Sequence, residues 1–280
     1  MQKSIAVLIT CHNRASQTIH CLMQLFNQRG LGHEFTLDVY VVDDNSSDGT
    51  AALIHAQFPL VNIIKGTGYL YWNRGMHLAW ETAEQKDTYN WYLWLNDDTL
   101  LHENAISCMI SVERDKSIIV GATTSQNGEE ITYGGFSKKH QLIVPNNDVQ
   151  QCSYFNGNCI LIPKEVYQKV GGLDPHFHHA LGDFDYGLRA KKKGVELLLA
   201  PIPIGSCELH THVPKWTNKE HSIIKRLKYL YNPLSGCSPS EFFKFENRHY
   251  GIIVAILHFC TMHLRALFPY VNKLRPLSKQ

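Results

Sequence analysis

Two acidic clusters hold the residues of this chain best suited to chemistry. Asn96-Asp97-Asp98 follows the apolar run at residues 91–95. Adjacent carboxylates beyond a buried strand are costly unless a cation or hydrogen-bond donors compensate them. Oxygen ligands of this kind suit a hard ion such as Mn2+ or Mg2+ shared with a substrate's phosphates. Taken alone, they serve equally well as a helix cap, with Asp97 or Asp98 capping a helix that begins near Glu103. The second cluster, Gly182-Asp183-Phe184-Asp185, opens a helical stretch whose positive end favours acids. Asp183 and Asp185 point to different sides of that helix. One can face a reaction centre while the other pairs with a neighbour such as Arg189. In isolation this segment reads simply as acids at a helix start.

These groups can act together only if the fold brings them together. Short apolar runs alternate with helical patterns in the first half, the signature of a parallel α/β sheet. Strands are expected at residues 5–9, 37–42, 61–64 and 91–95, and helices at about 15–28, 50–56 and 74–83. Ligands of such sheets bind beyond the carboxyl ends of the strands. Residues 10–14, 43–48 and 96–98 should therefore converge. From about 118 to 162 the pattern turns to short β-prone pieces. Helices follow at 164–169 and 183–193, the latter stopped by Gly194, then a strand at 195–200 ended by Pro201 and Pro203. The chain from Lys215 is basic and helix-prone, with a break at 232–240.

A length of 280 residues fits one large domain or a domain with an appendage. With 44% hydrophobic and 19% charged residues, the chain is globular and can bury a sizeable core. A net charge of +2 provides no strong field for phosphate backbones, so nucleic acid is not an expected partner. Eight scattered cysteines without a C-x-x-C pair read as reduced thiols of a cytosolic protein. The apolar run at 5–9 is too short for a secretory signal. The stretch 250–264 falls short of the ~20 residues that span a bilayer, which leaves a membrane-surface helix.

The series Thr10-Cys11-His12-Asn13-Arg14, Val41-Val42-Asp43-Asp44-Asn45-Ser46-Ser47-Asp48-Gly49-Thr50, Leu95-Asn96-Asp97-Asp98 and Gly171-Gly172-Leu173-Asp174, with Gly182-Asp183-Phe184-Asp185, Leu188-Arg189 and Gly194, resembles the family 2 glycosyltransferases of the GT-A fold. The match runs from about Ser4 to Ala200. It implies an α/β fold with a mostly parallel central sheet, a catalytic domain at 1–212 and a basic helical extension at 213–280. It also implies inverting transfer from a nucleotide diphosphate sugar to a glycan or lipid-linked acceptor, in the manner of bacterial surface-polysaccharide enzymes at the inner face of the cytoplasmic membrane.

By the same resemblance, Thr10, Asn13 and Arg14 line the nucleotide pocket. Asp43 meets the base or ribose, with Asp44 and Asp97 beside it. Asp98 binds a divalent metal, Mn2+ or Mg2+, although Asn96 stands where the first Asp is usual. Asp183 is the general base, and Gly182 replaces the Glu that commonly precedes it. Relatives carry a metal-ligating His after the next strand. His210 is the choice here, with His212 nearby and Cys207 read as a core thiol.

The loop Gly66-Thr67-Gly68 through Gly75 resembles the segment that closes over the donor, with Asn73 or Arg74 meeting a phosphate. Tyr69, Tyr71 and Trp72 either stack on sugar or base or pack beneath the sheet. Phe155-Asn156-Gly157-Asn158 approaches the donor sugar, and His176, His178 and His179 either border the acceptor or face solvent. A non-catalytic nucleotide-sugar-binding protein is the alternative, opposed by the presence of both Asp98 and Asp183. A nicotinamide enzyme is disfavoured by the missing G-x-G-x-x-G. In the tail, Ile252, Ile253, Ala255, Ile256, Phe259, Cys260 and Leu267 form an apolar face, with Lys273, Arg275 and Lys279 beyond it. That face meets a membrane surface, the catalytic domain or a second subunit in a homodimer.

Overall fold

Apolar runs with no polar face demand cover on both sides, and the computed structural model, which describes residues 2–112, 116–210 and 214–269, provides it. The first part alternates β1 (Lys3–Cys11), α1 (Ala15–Phe26), β2 (Phe35–Asp43), α2 (Thr50–Gln57), β3 (Asn62–Lys65), α3 (Tyr71–Lys86) and β4 (Trp91–Leu95). Next come β5 (Leu100–Leu101), α4 (Ala105–Ser111), β6 (Ser117–Thr124), β7 (Ile131–Tyr133), β8 (Gly135–Phe136), β9 (Gln150–Gln151), β10 (Tyr154–Phe155) and β11 (Cys159–Pro163). Then α5 (Lys164–Val170), α6 (Gly182–Lys192) and β12 (Glu196–Ser206) lead to α7 (Ile223–Leu230), α8 (Pro239–Tyr250) and α9 (Ile252–Leu267).

The main sheet has the order β3-β2-β1-β4-β11-β6-β12-β5, with β7 beside β6 and β9 beside β12. β1 runs parallel to β2 and β4, and β2 to β3. β11 is antiparallel to β4 and β6, which makes the sheet mixed while its first four strands stay parallel. β8 and β10 form a separate antiparallel pair. Side chains alternate along each strand, so Ile5, Val7 and Ile9 enter a core under α1, α2 and α4. Ala6 and Leu8 enter a second core under α3, α5 and α6. That second core is aromatic: Trp94 lies 5.6 Å from Trp80, 5.0 Å from Tyr186 and 6.0 Å from Trp72, ring centre to ring centre.

Several local expectations shift. α3 begins at Tyr71, three residues before the expected start, which draws Asn73 and Arg74 into its first turn. α4 is flanked by Asn104, so neither Asp97 nor Asp98 caps it. β12 does not stop at Pro201. It runs on to Ser206, and its register with β6 shifts on either side of Pro203. A proline has no N–H for a regular ladder and is tolerated where the ladder is irregular. The division expected at residue 213 falls among residues 211–213, outside the described ones, as does His212.

Trp94 is fully buried, and its indole N–H has no acceptor among the described residues. Trp94→Ala should therefore cost about 3–5 kcal/mol of unfolding free energy. Trp94→Phe, which deletes an unsatisfied donor and keeps a ring, should cost much less. Urea unfolding of the two variants measures both; equal losses would contradict the packing described.

Candidate functional site

β1, β2 and β4 are parallel neighbours, so their carboxyl ends open on one side. The loops beyond them are tied together. Asn13 Oδ1 accepts the Ser47 N–H (2.7 Å), the Ser46 hydroxyl accepts the Asn13 N–H (2.9 Å), and Asp48 Oδ2 accepts the Ala15 N–H (3.0 Å). Residues 10–14, 43–48 and 96–98 thus converge as expected. Thr10 donates its hydroxyl to the Val42 carbonyl (3.3 Å), and buried Asp43 accepts the Ser46 N–H (3.0 Å).

Other expected pocket residues are engaged elsewhere. Asn13 has its carbonyl oxygen committed to the neighbouring loop. Asp44 accepts the N–H groups of Gly68 (2.7 Å), Leu70 (2.9 Å) and Tyr71 (3.1 Å), and so fastens the glycine loop at the start of α3. Asn73 is fully buried and donates to the Asp174 and Phe177 carbonyls, both at 2.8 Å, while Arg74 Nε donates to the Pro175 carbonyl (2.8 Å). Carbonyls in the irregular segment before α6 need donors, and these two side chains supply them. A methyl group on Gly182 would overlap the Asn73 amide, so no side chain fits at this position, where Gly182 replaces the Glu that the resemblance supplies.

The adjacent carboxylates are compensated by Arg14. Its guanidinium lies 3.3 Å from Asp97 Oδ1 and 2.6 Å from Asp98 Oδ2. Burial dominates at Asp97 and pushes it up to about 7, against the pull of Arg14. Burial also acts to raise Asp98, but Arg14 and a hydrogen bond from His210 together hold it below the ordinary carboxylate value. His210 Nε2 is 3.0 Å from Asp98 Oδ2, while Cys207 Sγ is 3.5 Å from Oδ1. Burial and the Asp98 charge push the Cys207 thiol up to about 12, which keeps it protonated. Among the described residues no group of three His, Cys, Asp or Glu is arranged around a common ion position. Asp98 and His210 nevertheless offer a carboxylate oxygen and an imidazole nitrogen to an ion whose remaining ligands are water and substrate oxygens.

A wall connects this centre to α6. Trp72 Nε1 donates to Asn96 Oδ1 (2.7 Å), and a methyl on Gly157 would meet the Trp72 ring at 2.5 Å and the Asp183 Cβ at 3.2 Å. The Gly157 N–H donates to Asp183 Oδ2 (2.9 Å) and the Phe184 N–H to Oδ1 (2.8 Å). Among the described residues no cation contacts Asp183, and burial pushes it up to about 6 against those two donors. The neighbouring Asp185 is its opposite. It is fully buried and meets Arg189 Nε (2.7 Å), Arg248 Nη1 (2.7 Å) and His249 Nε2 (2.9 Å), which overcome the effect of burial and lower it. Arg248 also reaches Asp174 (2.6 Å), and His178 pairs with Glu241 (2.6 Å), so α8 is fastened to the segment carrying Asp183. His178 is thereby occupied, while Tyr69 is largely exposed.

Sequence reasoning missed the Arg14 bridge, the Trp72–Asn96 bond and the α8 network, whose partners lie far apart in the chain. Backbone strain is a further signal invisible in sequence. Asn13, Asn45, Tyr71 and Leu181 take left-handed backbone, with φ of 51°, 60°, 57° and 70°. For Tyr71 and Leu181 this costs roughly 1–2 kcal/mol each, and such strain gathers at functional sites.

The sequence matches the family model described as glycosyl transferase family 2 over residues 6–171. No curated protein matches the chain significantly. Among solved structures, it is similar to the mannosyltransferase PcManGT from Pyrobaculum calidifontis, in complex with GDP-Man and Mn2+. The TM-score is 0.58 at 14% identity, covering 98% of this chain and 74% of that one. It is also similar to S. aureus TarS 1-349, with a TM-score of 0.58 at 12% identity, covering 97% of this chain and 72% of that one.

The raised Asp97 gives a signed pH test. A carboxyl ionising near 7 when folded but near ~3.9 when unfolded holds its proton preferentially in the fold. Its contribution is fully present below about pH 4 and is lost as pH rises to about 7. Asp97→Asn should remove that loss, so its stability relative to the wild type should rise between pH 5 and 8 in urea unfolding. A pH-independent difference would show that Asp97 is ionised throughout.

Proposed function

Since the chain belongs to glycosyl transferase family 2 and is a nucleotide-sugar-dependent glycosyltransferase, we propose that it inverts the anomeric centre it transfers, with Asp183 as the base. The observation that carries this reading is the contrast on α6. Asp183 is held by two backbone N–H groups with no cation upon it among the described residues, whereas Asp185 is neutralised by Arg189 and Arg248 and hydrogen-bonded to His249. A carboxylate raised to about 6 by burial accepts a proton more readily than an ordinary one while remaining ionised at neutral pH.

In this mechanism Arg14 offers a forked donor to the diphosphate, and Asp43 and Thr10 border the nucleoside. Trp72 and Gly157 shape the wall along which the sugar meets Asp183. The acceptor, a glycan or lipid-linked hydroxyl, gives its proton to Asp183 as its oxygen attacks the anomeric carbon. The diphosphate departs from the opposite face, so one displacement inverts the configuration and no enzyme-bound sugar forms. Asp98 and His210 would hold Mn2+ or Mg2+, which when bound offsets the charge developing on the leaving diphosphate. The Mn2+ and GDP-Man in the PcManGT complex support this assignment by analogy of fold.

Paired substitutions test the base. Asp183→Asn should bind donor normally and lose about 10²–10⁴-fold in transfer rate. Its stability at neutral pH should be unchanged or higher, because the wild type loses stability as pH rises from about 4 toward about 6 and this carboxyl ionises. Asp185→Asn should instead lower stability by about 3–5 kcal/mol, since it strips a buried counter-charge from two arginines. Below pH of about 6 the wild-type rate should fall about tenfold per unit. Near-normal transfer by Asp183→Asn would sink the proposal. For the metal, chelator should abolish turnover and Mn2+ or Mg2+ should restore it in the wild type but not in Asp98→Ala. Undiminished turnover in excess chelator would remove the ion from the mechanism.

A further inference from the structure

α9 has two apolar sides, and the described residues cover only one. Ala255, Met262 and Ala266 face inward, and Arg226 Nε on α7 donates to the Ala266 carbonyl (2.6 Å). The other side carries Ile253 (72% exposed), Leu257 (58%), Leu264 (52%) and Phe268 (60%). Ile253, Ile256, Leu257, Cys260 and Leu264 recur at helical spacing, with Phe268 just past the helix end, and form one stripe that no described residue covers. The expected face shifts accordingly, because Ala255 belongs to the buried side and Phe259 is half-buried, while Leu257 and Leu264 join the exposed one. Lys273, Arg275 and Lys279 lie outside the described residues.

The stripe does not end at α9. The Tyr231 hydroxyl, just past α7, is 2.9 Å from His263 Nε2 at the edge of the stripe. Ile224 and Lys228 stand seven and three residues before Tyr231, on the same face of α7; Ile224 is 70% exposed and Tyr231 52%. Lys225 and Lys228 are exposed on α7, and charge along the sequence is biased the same way. Residues 215–280 hold eleven Lys or Arg against three Asp or Glu, whereas residues 1–214 hold sixteen against twenty-two. α7 and α9 contain no acidic residue at all.

We infer that this face of α7 and α9 docks on an anionic lipid bilayer surface, with the stripe in the interface and the lysines toward the headgroups. A branched aliphatic stripe flanked by basic groups matches an interfacial helix. Anionic headgroups contribute about 1 kcal/mol for each nearby basic side chain. Self-pairing of the face in a second copy would instead set two basic surfaces together. No described helix is long and apolar enough to cross a bilayer. The docked helix starts at Ile252, three residues after His249 and four after Arg248, both of which grip Asp185 on the helix of Asp183. Docking would therefore present a lipid-linked acceptor beside α6. That consequence rests on the proposed transfer; the docking does not.

Vesicle co-sedimentation of the full chain, read without any turnover, tests it. The wild type should sediment with phosphatidylcholine vesicles containing phosphatidylglycerol, less with phosphatidylcholine alone, and less again as salt rises. Combined Ile253→Ser, Leu257→Ser and Leu264→Ser should lower partitioning about tenfold or more. All three positions are exposed, so melting temperature and nucleotide affinity should stay at wild-type values. Lys225→Glu with Lys228→Glu should erase the preference for phosphatidylglycerol. A wild type that remains in the supernatant, or a triple variant that partitions equally, overturns the inference. So would sedimentation velocity showing a dimer that the triple variant dissolves.

Discussion

The site depends on one electrostatic debt, two neighbouring carboxylates at the buried end of β4. Asp97 and Asp98 cannot both ionise there without a compensating positive charge, and Arg14, from the loop after β1, supplies it to both. The bridge fixes where the first loop lies against the end of β4. It also divides the pair. Asp97, the deeper, is driven toward the neutral form, while Asp98 stays charged with His210 beside it.

Around that centre, polar side chains that look available in the sequence have been recruited to hold backbone. Asp44 closes the glycine loop, Asn13 joins two loops, and Asn73 and Arg74 anchor the segment before α6. Loops that carry function satisfy few of their own hydrogen bonds. The residues that hold them steady must come from nearby in space.

The helix α6 turns the same constraint to a different use. Asp185 anchors the helix through a network that reaches Arg248 and His249 on α8, while Asp183 is left to two backbone donors. The C-terminal helices are therefore part of what holds the candidate base in position. Their remaining exposed face adjoins, through Gly251, the helix that provides this support.

Much of this was legible in the sequence, for a physical reason: strand periodicity, turn residues and acidic clusters are local. The parallel strands, the meeting of their loops, the opposite orientations of Asp183 and Asp185 and the pairing of Asp185 with Arg189 all follow from spacing within one element or from the geometry of parallel sheets. What required the tertiary structure were the pairings across long separations: Arg14 with Asp98, Trp72 with Asn96, Gly157 with Asp183, and Arg248 with Asp174 and Asp185. Sequence names the donors and acceptors, but which of them meet depends on how helices and loops pack. For that reason Asn73 and Asp44 read as ligand contacts in the sequence and act as scaffold in the fold. The same packing decides which side of α9 is buried, because both sides are apolar and only contact with α7 and α8 distinguishes them.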